Sequence, residues 1–277
     1  MNWMARVREA VKDKRVLALL LLLTAFFIFK AFYSTAFPIT GDEAYHWEWS
    51  RNPAFGYYDH PPLIGWIIAL STLIGGFIGG SELFWTRLPA LLSATAVLIM
   101  VYLLLVQSTG KRTPGLYGVV FLMAAPLFSI GANVVTTDQP LIFFSGLTVY
   151  LLYQAIFREK EHYWYYAGIS LGLAFLSKFI SILILPGVLL FLIISAEDRY
   201  WFKRKEPYIF ALIAALLYLP NLLWNAGHNW ITFLFNFNRQ VGSTSSLEGL
   251  GLYIVGQLGV IGLLLFPCLL TALIKGV

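Results

Sequence analysis

The chain has 277 residues, of which 59% are hydrophobic and only 12% charged, with a net charge of +5 and a single cysteine. Soluble domains carry about 25% charged residues, so this composition, with a mean hydropathy of +0.75, excludes a water-soluble protein and indicates an integral membrane protein. The basic residues fall in short clusters between apolar runs, which excludes nucleic acid as a partner and points to membrane topology. Cys268 lies in the apolar stretch GLLLFPCLLTALI and can form no internal disulfide.

Apolar runs occupy residues 16–37, 63–80, 87–107, 114–132, 138–157, 163–177, 180–196, 207–224 and 250–274. The first follows MNWMARVREAVKDKR and carries a small-x-small site at Ser34-Thr35-Ala36. It is longer than the roughly 7 to 15 residues of a signal-peptide core, so it reads as a retained helix. Orientation follows from Lys and Arg, which concentrate in short cytoplasmic loops. If 63–80 does not cross, five basic residues before residue 16, Lys111, Arg112, Arg158, Lys160, Arg199, Lys203, Arg204, Lys205 and Lys275 share the cytoplasmic side, fourteen against Arg51, Arg87, Lys178 and Arg239 outside. The expected fold is therefore all-α and polytopic, one transmembrane domain over 1–277 with about eight spans and both termini cytoplasmic. Residues 38–86 form an external loop, in which 63–80 lies on or dips into the outer leaflet, and 225–249 form a second.

The external loop GDEAYHWEWSRNPAFGYYDHPPLIGW holds Asp42, Glu43, Glu48 and Asp59, with Glu82 just beyond it. Four carboxylates in eighteen residues do not belong to a core. Asp42 and Glu43 follow Pro38 and Gly41 and start a short helix, whose N-terminal dipole favours ionised carboxylates. A base and a plain first-turn helix acid are both open readings of Asp42. In Asp59-His60-Pro61-Pro62 the prolines fix an extended backbone and present an acid and an imidazole in set directions. Together Asp42, Asp59 and His60 offer oxygen and nitrogen ligands for a divalent cation (Mg, Mn or Zn), with Asp59 and His60 the candidate pair, although no HExxH or CxxC spacing accompanies them. Asp138, in TTDQP, suits a helix N-terminus or a sugar hydroxyl. Lys178 ends an apolar stretch, where a charge is a functional candidate or a snorkelling side chain. His228 and Arg239 lie in the second external loop. Trp47, Trp49, Tyr57, Tyr58 and Trp230 suit an interfacial belt as well as a site.

GDEAYHWEWS followed by GYYDHPPLIGW closely resembles the first external loop of family 39 glycosyltransferases of the membrane GT-C fold, which include protein O-mannosyltransferases and the lipid A aminoarabinose transferase. The resemblance continues in order through FWTRLPALLSA, TTDQPLIFF, GISLGLAFLSKF and PNLLWNAGHNWITFLFNFNRQ. It implies an enzyme that transfers a sugar, with inversion, from a polyprenyl-phosphate donor to a lipid, glycan or protein acceptor on the external face of a bacterial or archaeal plasma membrane. Asp42 then becomes the acceptor-facing base and Glu43 its support. Asp59, His60, Asp138, Lys178, His228 and Arg239 become candidates for donor phosphate or substrate. Related transferases carry Glu-Lys where this chain has Asp59-His60, so a phosphate-contacting lysine is absent there. Family members usually run longer, which implies a short member or one truncated at the C-terminus.

The competing classes are a transporter or flippase and a noncatalytic membrane subunit. A transport path calls for ionisable groups near mid-span, whereas the runs 87–107, 114–132 and 138–157 carry them only at their boundaries. Substituted-cysteine labelling checks the orientation: positions beside Arg51 should react with an impermeant reagent in intact spheroplasts, and positions beside Lys111 and Lys203 only after permeabilisation. The reverse pattern would scatter the polar candidates over two membrane faces.

Overall fold

A computed structural model describes residues 13–241, 251–253, 256 and 271, and among these no strand occurs. Helix α1 (Lys14–Ala36) starts where Asp13 accepts the Arg15 backbone N–H at 2.8 Å. Then follow α2 (Gly41–Arg51), α3 (Leu63–Ile78), α4 (Glu82–Thr109), α5 (Arg112–Ala124), α6 (Pro126–Gly131), α7 (Asp138–Phe157) and α8 (Tyr163–Ser177). A 3-10 turn over Phe179–Leu183 leads into α9 (Ile184–Ile194), a second over Arg199–Lys203 leads into α10 (Glu206–Gly227), and α11 (Ile231–Val241) closes the described helices.

Two expected runs are interrupted. The run 114–132 is broken at Ala125-Pro126, because proline has no N–H to donate and clashes with the preceding turn. The run 180–196 opens as a 3-10 turn after the extended Lys178 (φ −160°). Helix α4 begins five residues before its apolar run, with Glu82 in its first turn, where the helix dipole favours an acid. The last run, 250–274, lies largely outside the described residues. Among those described, α1, α4, α7 and α10 are long and apolar enough to cross a membrane, and α3 and Phe179–Ile194 are shorter apolar segments. The total of eight crossings rests on the charge distribution alone.

The chain divides into two compact units, Met1–Pro38 with Ala94–Val134 and Ser245–Val277, and Ile39–Ser93 with Val135–Thr244. In the first, Lys30 is 6% exposed within α1 and donates to the Ser129 carbonyl at 2.5 Å, with the Phe26 and Phe29 rings 5.7 and 5.8 Å from its ammonium. A buried cation in a span needs such partners, and carbonyls near a broken helix need donors.

In the second unit α8 is the central helix, packed against α7 and α10. Trp164, Ala167, Leu171 and Phe175 meet Phe210 and Ala214 of α10 and Leu152 and Ala155 of α7. Gly168 and Gly172 form a GxxxG step: a Cβ at Gly168 would lie 2.7 Å from the Phe210 carbonyl oxygen, and one at Gly172 2.7 Å from Leu217 Cβ. Lipid tails are as apolar as leucine, so close helix approach through small residues replaces the hydrophobic effect as the source of packing energy. Gly168→Val should cost about 1–3 kcal/mol through overpacking and lower the thermal midpoint of the detergent-solubilised protein. Gly187→Val, at a position with nothing within 4 Å of the added Cβ, is the control; equal midpoints for the two variants would refute the close α8–α10 contact.

Candidate active site

The site is built on α2. Thr40 caps the helix, accepting the Glu43 N–H at 3.4 Å, while the Glu43 carboxylate accepts the Thr40 N–H at 3.0 Å. This reciprocal capping box fixes where the helix starts. Glu43 is fully buried and accepts three further bonds: Arg87 Nε and Nη2, each at 2.7 Å, and the Val135 N–H at 3.1 Å. Burial pushes its carboxyl up, but Arg87 and the Thr40 and Val135 amides outweigh burial and hold it below its usual value. Both oxygens are thus committed to the protein. Burial of Glu43, His46, Trp49 and Ser50 follows the helical period and leaves Asp42, Tyr45, Glu48 and Arg51 on the exposed side.

The Asp59 segment folds back onto α2. Tyr57 stacks on Trp49, with centroids 4.2 Å apart and planes within 4°, and its N–H bonds the His60 carbonyl at 3.2 Å. Helices α10 and α11 hold the segment through side chains: Asn221 donates to the Phe55 carbonyl at 2.7 Å, Thr232 to that of Tyr57 at 2.6 Å and Asn236 to that of Asp59 at 2.8 Å. The Asp59 carboxylate accepts the Tyr45 hydroxyl at 3.1 Å, and burial together with that neighbouring charge pushes Tyr45 up to about 12. His60 Nε2 is 4.0 Å from Asp59, and the His60 ring stacks 6.4 Å from that of His46. Both His46 nitrogens and His60 Nδ1 are buried without a hydrogen-bond partner.

Asp138, the first residue of α7, accepts Lys178 Nζ at 2.8 Å. Lys178 sits in the extended link after α8, with Asp138 half-exposed and Lys178 partly buried. Burial lowers the His60 pKa, and the charges that act on it next are Asp59, Lys178, Asp138 and Arg239. Burial likewise lowers that of His46, which feels His60, Asp59 and Asp42. Asp59, Asp138, Lys178 and Arg239 thus act electrostatically on His60, and Asp42 and Asp59 on His46. Glu43 belongs to the site's foundation. His228 stands apart, exposed at the end of α10, stacked on Trp224 at 3.9 Å and bonded to the Trp224 carbonyl at 2.7 Å.

Sequence reasoning passes over Tyr45, His46 and Arg87 as site-building residues. The Thr40-x-x-Glu43 spacing could have identified the capping box, and the (i, i+4) relation of Asp42 to His46 could have pointed to the imidazole. Among the described residues no three His, Cys, Asp or Glu side chains are placed to hold a metal ion. Asp59 and His60 supply two candidate ligands, with His60 Nε2 4.0 Å from the Asp59 carboxylate.

Residues 59–224 match the family model described as dolichyl-phosphate-mannose-protein mannosyltransferase. The chain is 27% identical to the lipid A galacturonosyltransferase RgtD of Rhizobium johnstonii over 239 residues, covering 84% of this chain and 49% of RgtD. It is 32% identical to YkcB of Bacillus subtilis over 60% of this chain and 22% of that protein. Among solved structures, apo ArnT from Cupriavidus metallidurans superposes with a TM-score of 0.62 at 19% identity, over 79% of this chain and 43% of ArnT. The all-α membrane fold is thus that of ArnT, and the chain spans half or less of the length of each of these proteins.

The buried imidazoles have a measurable consequence. A histidine whose pKa is lowered on folding binds fewer protons than in the unfolded chain, so its contribution to stability is full above pH 6.5 and is lost as pH falls from 6.5 toward the folded value. The thermal midpoint should fall on acidification from pH 7 to 5.5, and less steeply in His46→Phe. Parallel pH profiles for the two proteins would show that His46 is not held neutral by the fold.

Proposed function

Because the chain belongs to the dolichyl-phosphate-mannose-protein mannosyltransferase family, we propose that it is a membrane glycosyltransferase. In this reading it moves a sugar from a polyprenyl-phosphate donor to a lipid, glycan or protein acceptor on the external face of a plasma membrane. The observation that supports the reading is the stacked pair His46 and His60, 6.4 Å apart, with the exposed carboxylate Asp42 acting on His46 and the cations Lys178 and Arg239 acting on His60.

The chemistry divides among these groups. The acceptor oxygen attacks the anomeric carbon as its proton passes to Asp42. The bond from that carbon to the phosphate oxygen breaks, and polyprenyl phosphate leaves with the electron pair, inverting the configuration. A base on the acceptor strengthens the nucleophile as the bond forms, and fixed cations stabilise the charge on the departing phosphate. Lys178 is held by Asp138 at 2.8 Å, so it is oriented before the donor arrives. Arg239 lies beside a cavity of about 380 Å³ walled by Tyr58, Ile231, Leu234 and Phe235. A cation above apolar walls suits a phosphate followed by isoprene units. His60, held neutral by burial, contributes hydrogen bonding rather than charge.

The test is transfer of label from a polyprenyl-phosphate sugar by membranes containing the chain, with extractable lipid, glycan and protein fractions counted separately. Asp42→Asn should lower the rate about 100- to 10,000-fold at unchanged abundance, since Asp42 is exposed and among the described residues makes no ion pair. Activity within a few-fold of wild type would remove Asp42 from the reaction, and loss of protein instead of rate would assign it to the helix terminus.

A further inference from the structure

A second cavity, of about 580 Å³, lies away from this site. It is framed by the C-terminal end of α2, the second half of α3 and the first turn of α4. Arg51 is nine residues along α2 from Asp42, about 13 Å at 1.5 Å per residue. One end of the cavity is charged. Glu82 Oε1 accepts both Arg51 Nη2 at 2.8 Å and Trp47 Nε1 at 3.1 Å, and the Arg51 guanidinium lies 4.5 Å from the Trp47 ring centroid. Among the described residues Glu82 Oε2 carries no protein partner, and the Arg51 and Glu82 side chains remain 54% and 53% exposed. The charged end thus pairs an unused acceptor with unused guanidinium donors at zero net charge.

The other end is apolar. Leu73 and Phe77 line it, and they continue into an exposed row on α3 in which Leu70 is 60%, Phe77 85% and Ile78 71% exposed. In a membrane protein such a row meets acyl chains, since each Å² of apolar surface removed from water is worth about 25 cal/mol. Trp47, bonded to Glu82 at the charged end, and Trp85, which lines the cavity and donates to the Gly79 carbonyl at 2.9 Å, are the residue type that collects at headgroup level.

We infer that this cavity binds a zwitterionic phospholipid bearing a primary ammonium, a phosphoethanolamine lipid. Its phosphate accepts hydrogen bonds from Arg51, its ammonium donates to Glu82 Oε2, and its glycerol and first methylenes run along Leu73 and Phe77. Charge complementarity selects this class: Glu82 disfavours a purely anionic headgroup, and choline has no N–H to give to Oε2. A soluble glycan would leave the exposed α3 row unused. The inference is independent of the proposed transfer reaction.

Native mass spectrometry of the full chain, delipidated in detergent and titrated with dioleoyl phosphatidylethanolamine, phosphatidylcholine or phosphatidylglycerol, tests it. Wild type should retain the ethanolamine lipid about tenfold more tightly than the other two. Glu82→Gln should erase that preference. Gly76→Leu, which fills the cavity from a position with nothing within 4 Å of its Cβ, should abolish retention while leaving the lipid-free thermal midpoint unchanged. Equal retention of all three lipids, undiminished binding in Gly76→Leu, or displacement of the lipid by a soluble oligosaccharide would each overturn the assignment.

Discussion

The buried ion pair between Glu43 and Arg87 is the constraint on which the polar architecture depends. Removing two charges from water costs several kcal/mol per ion, and the cost is offset only when geometry and hydrogen bonding are both good. Here four N–H donors, two from Arg87 and one each from Thr40 and Val135, satisfy one carboxylate. The four groups come from the start of α2, from α4 and from the segment before α7, so one side chain sets the rotation of α2 and the entry to α7 together. Asp42 is exposed because its neighbour is not. Two adjacent carboxylates of nearly equal intrinsic acidity thereby take unlike tasks, one internal and structural, the other turned toward solvent.

The second layer of the site is held by neutral groups. Asn221, Thr232 and Asn236 grip three backbone carbonyls of the Phe55–Asp59 stretch, and the Trp49–Tyr57 stack holds its inner side. Because α8 and α10 approach through Gly168 and Gly172, the positions of Lys178, at the end of α8, and of Asn221, on α10, are tied to the same close packing. The charged residues assigned to the substrate in the proposed reaction are therefore presented by elements that neutral contacts also hold in place. Such preorganisation is what electrostatic stabilisation of a leaving phosphate requires.

Much of this was legible in the sequence, and what was missed has physical causes. Membrane class and helical fold emerge from composition and motif, and Asp42, Asp138 and Lys178 stand out as candidates because polar residues are conspicuous against an apolar background. The break at Ala125-Pro126 could be read from proline chemistry, yet continuous hydropathy concealed it. Glu43 is readable as a support for Asp42, but its burial is not, because a charged residue in a polar loop reads as exposed and its partner Arg87 lies 44 positions away. His228 shows the converse: a histidine in a conspicuous polar loop is engaged by Trp224, four residues earlier on its own helix. Lys30 is inconspicuous inside a long apolar run, and the fold supplies the Ser129 carbonyl that receives it.

The claim that a buried ion pair aims the exposed carboxylate is tested most directly by a double-mutant cycle on Glu43→Gln and Arg87→Met, read by unfolding of the purified protein. Each single change leaves a buried charge without its partner and should destabilise by about 3–5 kcal/mol, while the double change should cost clearly less than the two singles together. Strict additivity of the two effects would contradict the account, because it would mean that the carboxylate and the guanidinium hold the fold independently.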